Sequence, residues 1–133
     1  MESDHRGFTQ LEVAVLTRAL AGDDPILESL REQAASASAG IRHLTGVGFW
    51  VAIEHGPESI PLPDARDMHI SDVIATVGGL KHGAGFVVHV SHGRLAQIEG
   101  YAYDEPWPAA VIEFDVGYSG AEGRVDLIRE LEA

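Results

Sequence analysis

Apolar residues recur at helical spacing in the first third of the chain and at alternating spacing in most of the rest. Thr9 and Glu12 form a T-x-x-E capping box, with Phe8 and Val13 at the two positions of a hydrophobic staple. Leu11, Ala14, Val15 and Ala19 follow at helical spacing, Leu16 and Leu20 widen the stripe, and Gly22 stops it. Asp24 then caps a second helix with Pro25 at its first position. Ile26, Leu27, Leu30 and Ala34 line its inner face, Glu28, Arg31 and Glu32 its outer face, and it frays through Ala35–Ala39 to end at Gly40. So short a connection predicts an antiparallel helical hairpin.

From Gly46 the period becomes two. Val47, Phe49, Val51 and Ile53 fall on one face, Trp50 and Glu54 on the other. Gly56–Asp67 carries three prolines and reads as a loop, and Met68–Val77 as a strand ended by Gly78 and Gly79. The plainest strand signal is a hairpin, Phe86–Val90 and Leu95–Tyr103, around Ser91-His92-Gly93-Arg94. His92-Gly93 suits the centre of a type I′ turn. An uninterrupted ladder from that turn sets Val90 opposite Leu95, Val88 opposite Gln97 and Phe86 opposite Glu99. Val111–Val116 is an amphipathic strand with Ile112, Phe114 and Val116 inward, and Val125, Ile128 and Leu131 predict a short C-terminal helix. The expected architecture is one α+β domain over residues 1–133, an N-terminal helical hairpin on a mainly antiparallel sheet of about five strands.

Composition narrows the class. A chain of 133 residues with 45% hydrophobic and 23% charged positions can bury a core without staples. It has no cysteine, which removes disulfides, thiolate chemistry and cysteine-ligated zinc. The charged start, Met1–Gly7, and an apolar run interrupted at Thr17 and Arg18 resemble neither a signal peptide nor a membrane span, so a cytoplasmic protein is expected. The net charge of −12 is concentrated late, with nine carboxylates from Glu99 onward against Arg124 and Arg129. Such a field repels phosphate backbones and anionic membranes, which argues against nucleic acid and membrane partners. It serves solubility and also fits docking of a basic protein.

Several phrases together resemble a family of short bacterial proteins with no established activity. They are Leu20-Ala21-Gly22-Asp23-Asp24-Pro25, Thr45-Gly46-Val47-Gly48-Phe49, Gly83-Ala84-Gly85-Phe86 with Gly93-Arg94-Leu95, and Glu99-Gly100-Tyr101-Ala102-Tyr103-Asp104-Glu105-Pro106-Trp107-Pro108. The resemblance spans most of the chain, implies an association with toxin-immunity systems, and transfers no catalytic residue.

Candidate chemistry clusters between residues 79 and 108. Glu99, Asp104 and Glu105 around Tyr101 and Tyr103 could hold a cation or form an acid–base pair, with Glu99 singled out by its expected apolar neighbour Phe86. The plainer reading makes them solvated rim and turn residues. His82, His89 and His92 lie close in sequence, yet their strand and turn positions diverge, and no metal or cofactor is expected. His89 beside Ala96 reads as a packed, hydrogen-bonded histidine at the core edge. The loop Gly78–Gly85 holds the chain's single lysine, Lys81, and could cradle an anion, but lacks phosphate-loop spacing. Ser91 and His92, adjacent on a strand, should point apart. Trp107 between Pro106 and Pro108 is either a presented binding anchor or a lid over the sheet edge.

The sequence therefore favours a non-enzymatic, immunity-like binding protein that masks a basic partner with Trp107, Tyr101, Tyr103, Asp104 and Glu105. The alternative is a small hydrolase-like enzyme with Glu99, His89 and His82 at the mouth of the 85–105 hairpin. A third reading is a homo-oligomer built on the Trp50 face.

Overall fold

Thr9 Oγ1 accepts the Glu12 N–H at 3.1 Å and Glu12 Oε1 accepts the Thr9 N–H at 2.9 Å, so the capping box starts α1 (Gln10–Ala19) where the sequence places it. Asp24 caps α2 (Pro25–Ser36) through the Ile26 N–H at 2.8 Å. The computed structural model describes residues 6–120 together with Arg124, Leu127 and Leu131. After the helices come β1 (Ser38–Leu44), β2 (Gly48–Glu54), β3 (Met68–Val77), β4 (Ala84–Ser91), β5 (Arg94–Ala102) and β6 (Phe114–Tyr118). They form one sheet in the order β1-β2-β5-β4-β3-β6, every neighbour antiparallel.

The class is α+β as expected, but the sheet has six strands rather than five. The extra one is β1, whose first residues, Ser38–Gly40, fall in the predicted fraying end of α2 and whose Ile41–Leu44 carry no predicted element. It is an edge strand with little alternation, and a bulge between Ala39 and Arg42 breaks what period it has. At the other edge β6 begins only at Phe114. Phe114 and Val116 pack on the core as predicted, whereas Ile112 is 83% exposed in the preceding loop. Val125 and Ile128 of the expected closing helix lie outside the described residues, while Leu127 and Leu131 are buried.

One face of the sheet carries the core. Val51, Val73, Phe86, Val88 and Ile98 are fully buried beneath Val15 and Leu30 of the helices. Each such side chain contributes about 1.5–3 kcal/mol by leaving water. α1 lies over β3, β4 and β6, and α2 over β5. Between the helices runs a groove of about 370 Å³ lined by Val13, Leu16, Leu20 and Ala34. Glu12, buried in α1, is matched by Arg42 of β1, whose Nε and Nη2 donate to its two oxygens at 2.8 and 2.6 Å.

The hairpin tip has the turn the sequence predicts. His92 and Gly93 have φ of 52° and 82°, a conformation that glycine adopts without strain. The tip is held from three sides. Leu62 N–H donates to Gly93 O, Gly93 N–H donates to Arg66 O, and His92 N–H donates to Asp67 Oδ1. From above, the buried Gln33 of α2 donates from Nε2 to Ile60 O and Gly93 O and accepts the Leu95 N–H, all at 2.9 Å. Gln33→Leu leaves these backbone groups without that partner and should cost about 2–4 kcal/mol in urea unfolding. A loss below about 0.5 kcal/mol would show that the proline-rich loop alone holds the tip.

Candidate functional site

Leu95 and Ile98 are both buried beneath the helices although they stand three residues apart in β5. A strand whose faces alternate can do this only with one extra residue, and the ladder indeed shifts after the turn. Val90 faces Leu95, but His89 faces Gln97, which leaves Ala96 as a bulge. Beyond it the register differs by one from the uninterrupted ladder. Val88 faces Ile98, Phe86 faces Gly100, and Glu99 faces Val87 on one side and Trp50 on the other. The expectation that Glu99 sits against Phe86 is thus corrected: Phe86 belongs to the core and Glu99 to the opposite face.

That opposite face is covered by none of the described helices. Its centre is a carboxylate–imidazole pair, with His89 Nε2 3.0 Å from Glu99 Oε1 and side chains 29% and 43% exposed. His89 is therefore hydrogen-bonded, as read from the sequence, but on the open face rather than at the core edge. His69 of β3 lies directly across from it, the rings edge to face with centroids 4.8 Å apart. His43 of β1 stacks on Trp50 at 5.5 Å. Tyr101 and Tyr103 meet edge to face at 5.5 Å, their hydroxyls over Gly85, where any Cβ would lie 2.6 Å from each. Burial raises the Tyr101 phenol above its ordinary value of 10.0, and the neighbouring Tyr103 hydroxyl and the Glu99 carboxylate push the same way.

Glu54, Glu99 and Asp115 bring negative charge to this face. The cations stand at its ends. Arg94, at the hairpin tip, donates to Ser59 O at 3.1 Å, and Lys81 lies in the loop between β3 and β4. No lysine or arginine projects from the described strands onto the middle of the face.

The other candidates fall elsewhere. The backbone N–H groups of Lys81 and His82 donate to Glu105 at 3.0 and 2.9 Å, so the anion cradle of the glycine-rich loop holds the chain's own carboxylate. His82 and Tyr103 line a cleft of about 490 Å³ with Thr76, Lys81 and Asp115, apart from the His89–Glu99 pair. Asp104 is exposed with φ of 57°. Trp107 is half-buried, its ring 5.4 Å from that of Phe49, and it walls a second cleft of about 430 Å³ with Leu11, Leu44 and Val111. Ser91 and His92 do not point apart: Ser91 Oγ lies 3.0 Å from His92 Nδ1, because the residue at positive φ turns its ring back. Glu122, Asp126, Glu130 and Glu132 of the acidic tail lie outside the described residues.

Sequence reasoning missed His43 and His69, which reach this face only through cross-strand pairing. It also missed the pairing of His55, whose Nε2 lies 2.6 Å from Leu95 O with Ser59 Oγ 3.3 Å from Nδ1. Among the described residues no three histidine, aspartate or glutamate side chains converge as a metal site.

The amides of Lys81, then His82, hold Glu105 below its ordinary value of 4.5. A carboxyl depressed on folding stabilises above its unfolded value and loses that contribution as pH falls through the depressed one. The Lys81 and His82 amide proton shifts should therefore move together below pH 4.5, and Glu105→Gln should remove that titration. Tyr103→Phe should bring the ionisation of Tyr101 part of the way back towards 10.0 in an absorbance titration, with the larger effect of burial remaining. No protein-family profile, curated protein or solved structure matches the chain.

Proposed function

We propose that this is a non-enzymatic binding protein of the cytoplasm, immunity-like in its action, whose open sheet face masks a basic partner protein. One observation carries the proposal: Glu99 stands opposite Trp50 and beside Tyr101 on a face whose middle, among the described residues, receives no lysine or arginine. A carboxylate set among aromatic rings attracts arginine and lysine side chains through ion pairing and cation–π contact together. The net charge of −12 speeds the encounter and repels acidic competitors. The anchor we assign is Trp50 rather than Trp107, whose ring packs on Phe49. Tyr101 and Tyr103 extend the surface, and Glu105 is engaged by its own loop.

A ten-residue arginine peptide titrated into the labelled protein should shift the Trp50 indole and Glu99 resonances at low salt and lose affinity steeply as salt rises. Glu99→Lys and Trp50→Ala should each weaken binding by about tenfold or more. Absence of binding at low salt, or shifts confined to the helices, would sink the proposal.

The His89–Glu99 contact favours a second reading, a hydrolase-like enzyme in which Glu99 orients His89 as a base. Its weakness is free access of water to both side chains. Hydrolysis of a small ester that His89→Ala abolishes, with peptide binding intact, would favour it over docking.

A further inference from the structure

Among the described residues β1 has a neighbouring strand on one side only. Thr45 N–H points to Gly48 O at 2.9 Å, so alternation turns the N–H and C=O groups of Arg42 and Leu44 away from β2. The start of the strand is covered, because Ala39 N–H donates to Arg6 O. From Ile41 to Leu44 no described residue covers the edge, and its apolar side chains are open too: Ile41 is 73% and Leu44 69% exposed. Edges are ordinarily blunted by lysine, proline or an inward-pointing charge. This stretch has neither lysine nor proline; its one cation, Arg42, is turned inward onto Glu12, and the bulge between Ala39 and Arg42 lies at its start, which leaves Ile41–Leu44 as the open part.

Charge decides what fits there. The chain carries 21 carboxylates in 133 residues, yet residues 34–53 contain none. Arg42 and Glu12 neutralise each other here, and the nearest other carboxylate, Glu54, lies back over Gly40, so between Ile41 and Leu44 a basic or an acidic segment meets no uncompensated charge among the described residues. A second copy meets an equally uncharged strip, at the place where two molecules of net charge −12 repel each other least.

We propose that two copies of this chain pair β1 to β1, antiparallel and centred on His43, to form a continuous twelve-stranded sheet. The two-fold axis sets Arg42 opposite Leu44 of the other copy, where both have outward main-chain groups to exchange, and His43 opposite its own counterpart. The short open edge makes this a weak, concentration-dependent dimer. Both open faces lie on the same side of the joined sheet.

Sedimentation over a wide concentration range should show the mass rise from one chain towards two. Leu44→Pro, which removes an outward N–H, and Ile41→Lys, which charges the edge, should each weaken association at least tenfold. If Leu44→Pro disturbs the far-UV spectrum, Ile41→Lys at its exposed site decides. With no native cysteine, His43→Cys should give a disulfide-linked dimer under mild oxidation, because cross-strand neighbours stand within bridging distance. His69→Cys, exposed on β3 away from the edge, should not. A monomer at every concentration, a dimer indifferent to Ile41→Lys, or equal cross-linking of the two cysteine variants would overturn the proposal.

Discussion

One inserted residue in β5 governs which side chains this protein shows to solvent. Ala96 lets Leu95 and Ile98 both reach the core, and in doing so it turns Glu99 onto the uncovered face beside Trp50. Two hydrophobic side chains, each worth about 1.5–3 kcal/mol when buried, outweigh the one irregular ladder position that the bulge costs. The His89–Glu99 contact follows from that choice.

The register must also be held, and the hairpin tip is where that happens. Gln33 reaches from α2 to the turn and to the strand beyond it, while the proline-rich loop supplies Leu62, Arg66 and Asp67. A buried amide satisfied at both ends is directional in a way that apolar packing is not, so it fixes where the hairpin lies beneath the helix. Helix, loop and hairpin thereby brace the end of the sheet from which β5 sets out. The opposite end is organised by Glu105 on the glycine-rich loop and by Trp107 on Phe49.

Among the described residues no helix covers one sheet face, because α1 and α2 lie on the other. The aromatic rings and carboxylates of the uncovered face, with Arg94 and Lys81 at its ends, are what the docking proposal rests on. The free edge of β1 is a different kind of surface. Its unmet groups are backbone ones, and its side chains are apolar rather than acidic. Docking of a basic partner and pairing of a second copy, as proposed, therefore concern separate parts of the molecule.

Local chemistry was legible residue by residue. The capping box at Thr9 and Glu12, Asp24 and Pro25 at the start of α2, and the His92-Gly93 turn all depend on neighbours within four positions. Val47, expected on the inward face of β2, lies in the turn before the strand and is 53% exposed, but Phe49, Val51 and Ile53 were legible there, because burial of one face imposes a period of two. β1 was not, since an edge strand half in solvent needs no such period. The spacing of Leu95 and Ile98 did carry a signal of the bulge, but a ladder counted from the turn passes over it. Sequence alone settled α1, α2, the turn and the α+β class, which rest on short-range sterics and hydrogen bonding. Only the tertiary structure decided that Glu99 faces Trp50 rather than Phe86, that Glu105 fills the glycine-rich loop, and that Trp107 packs on Phe49, because each depends on chain segments brought together by burial of a shared core.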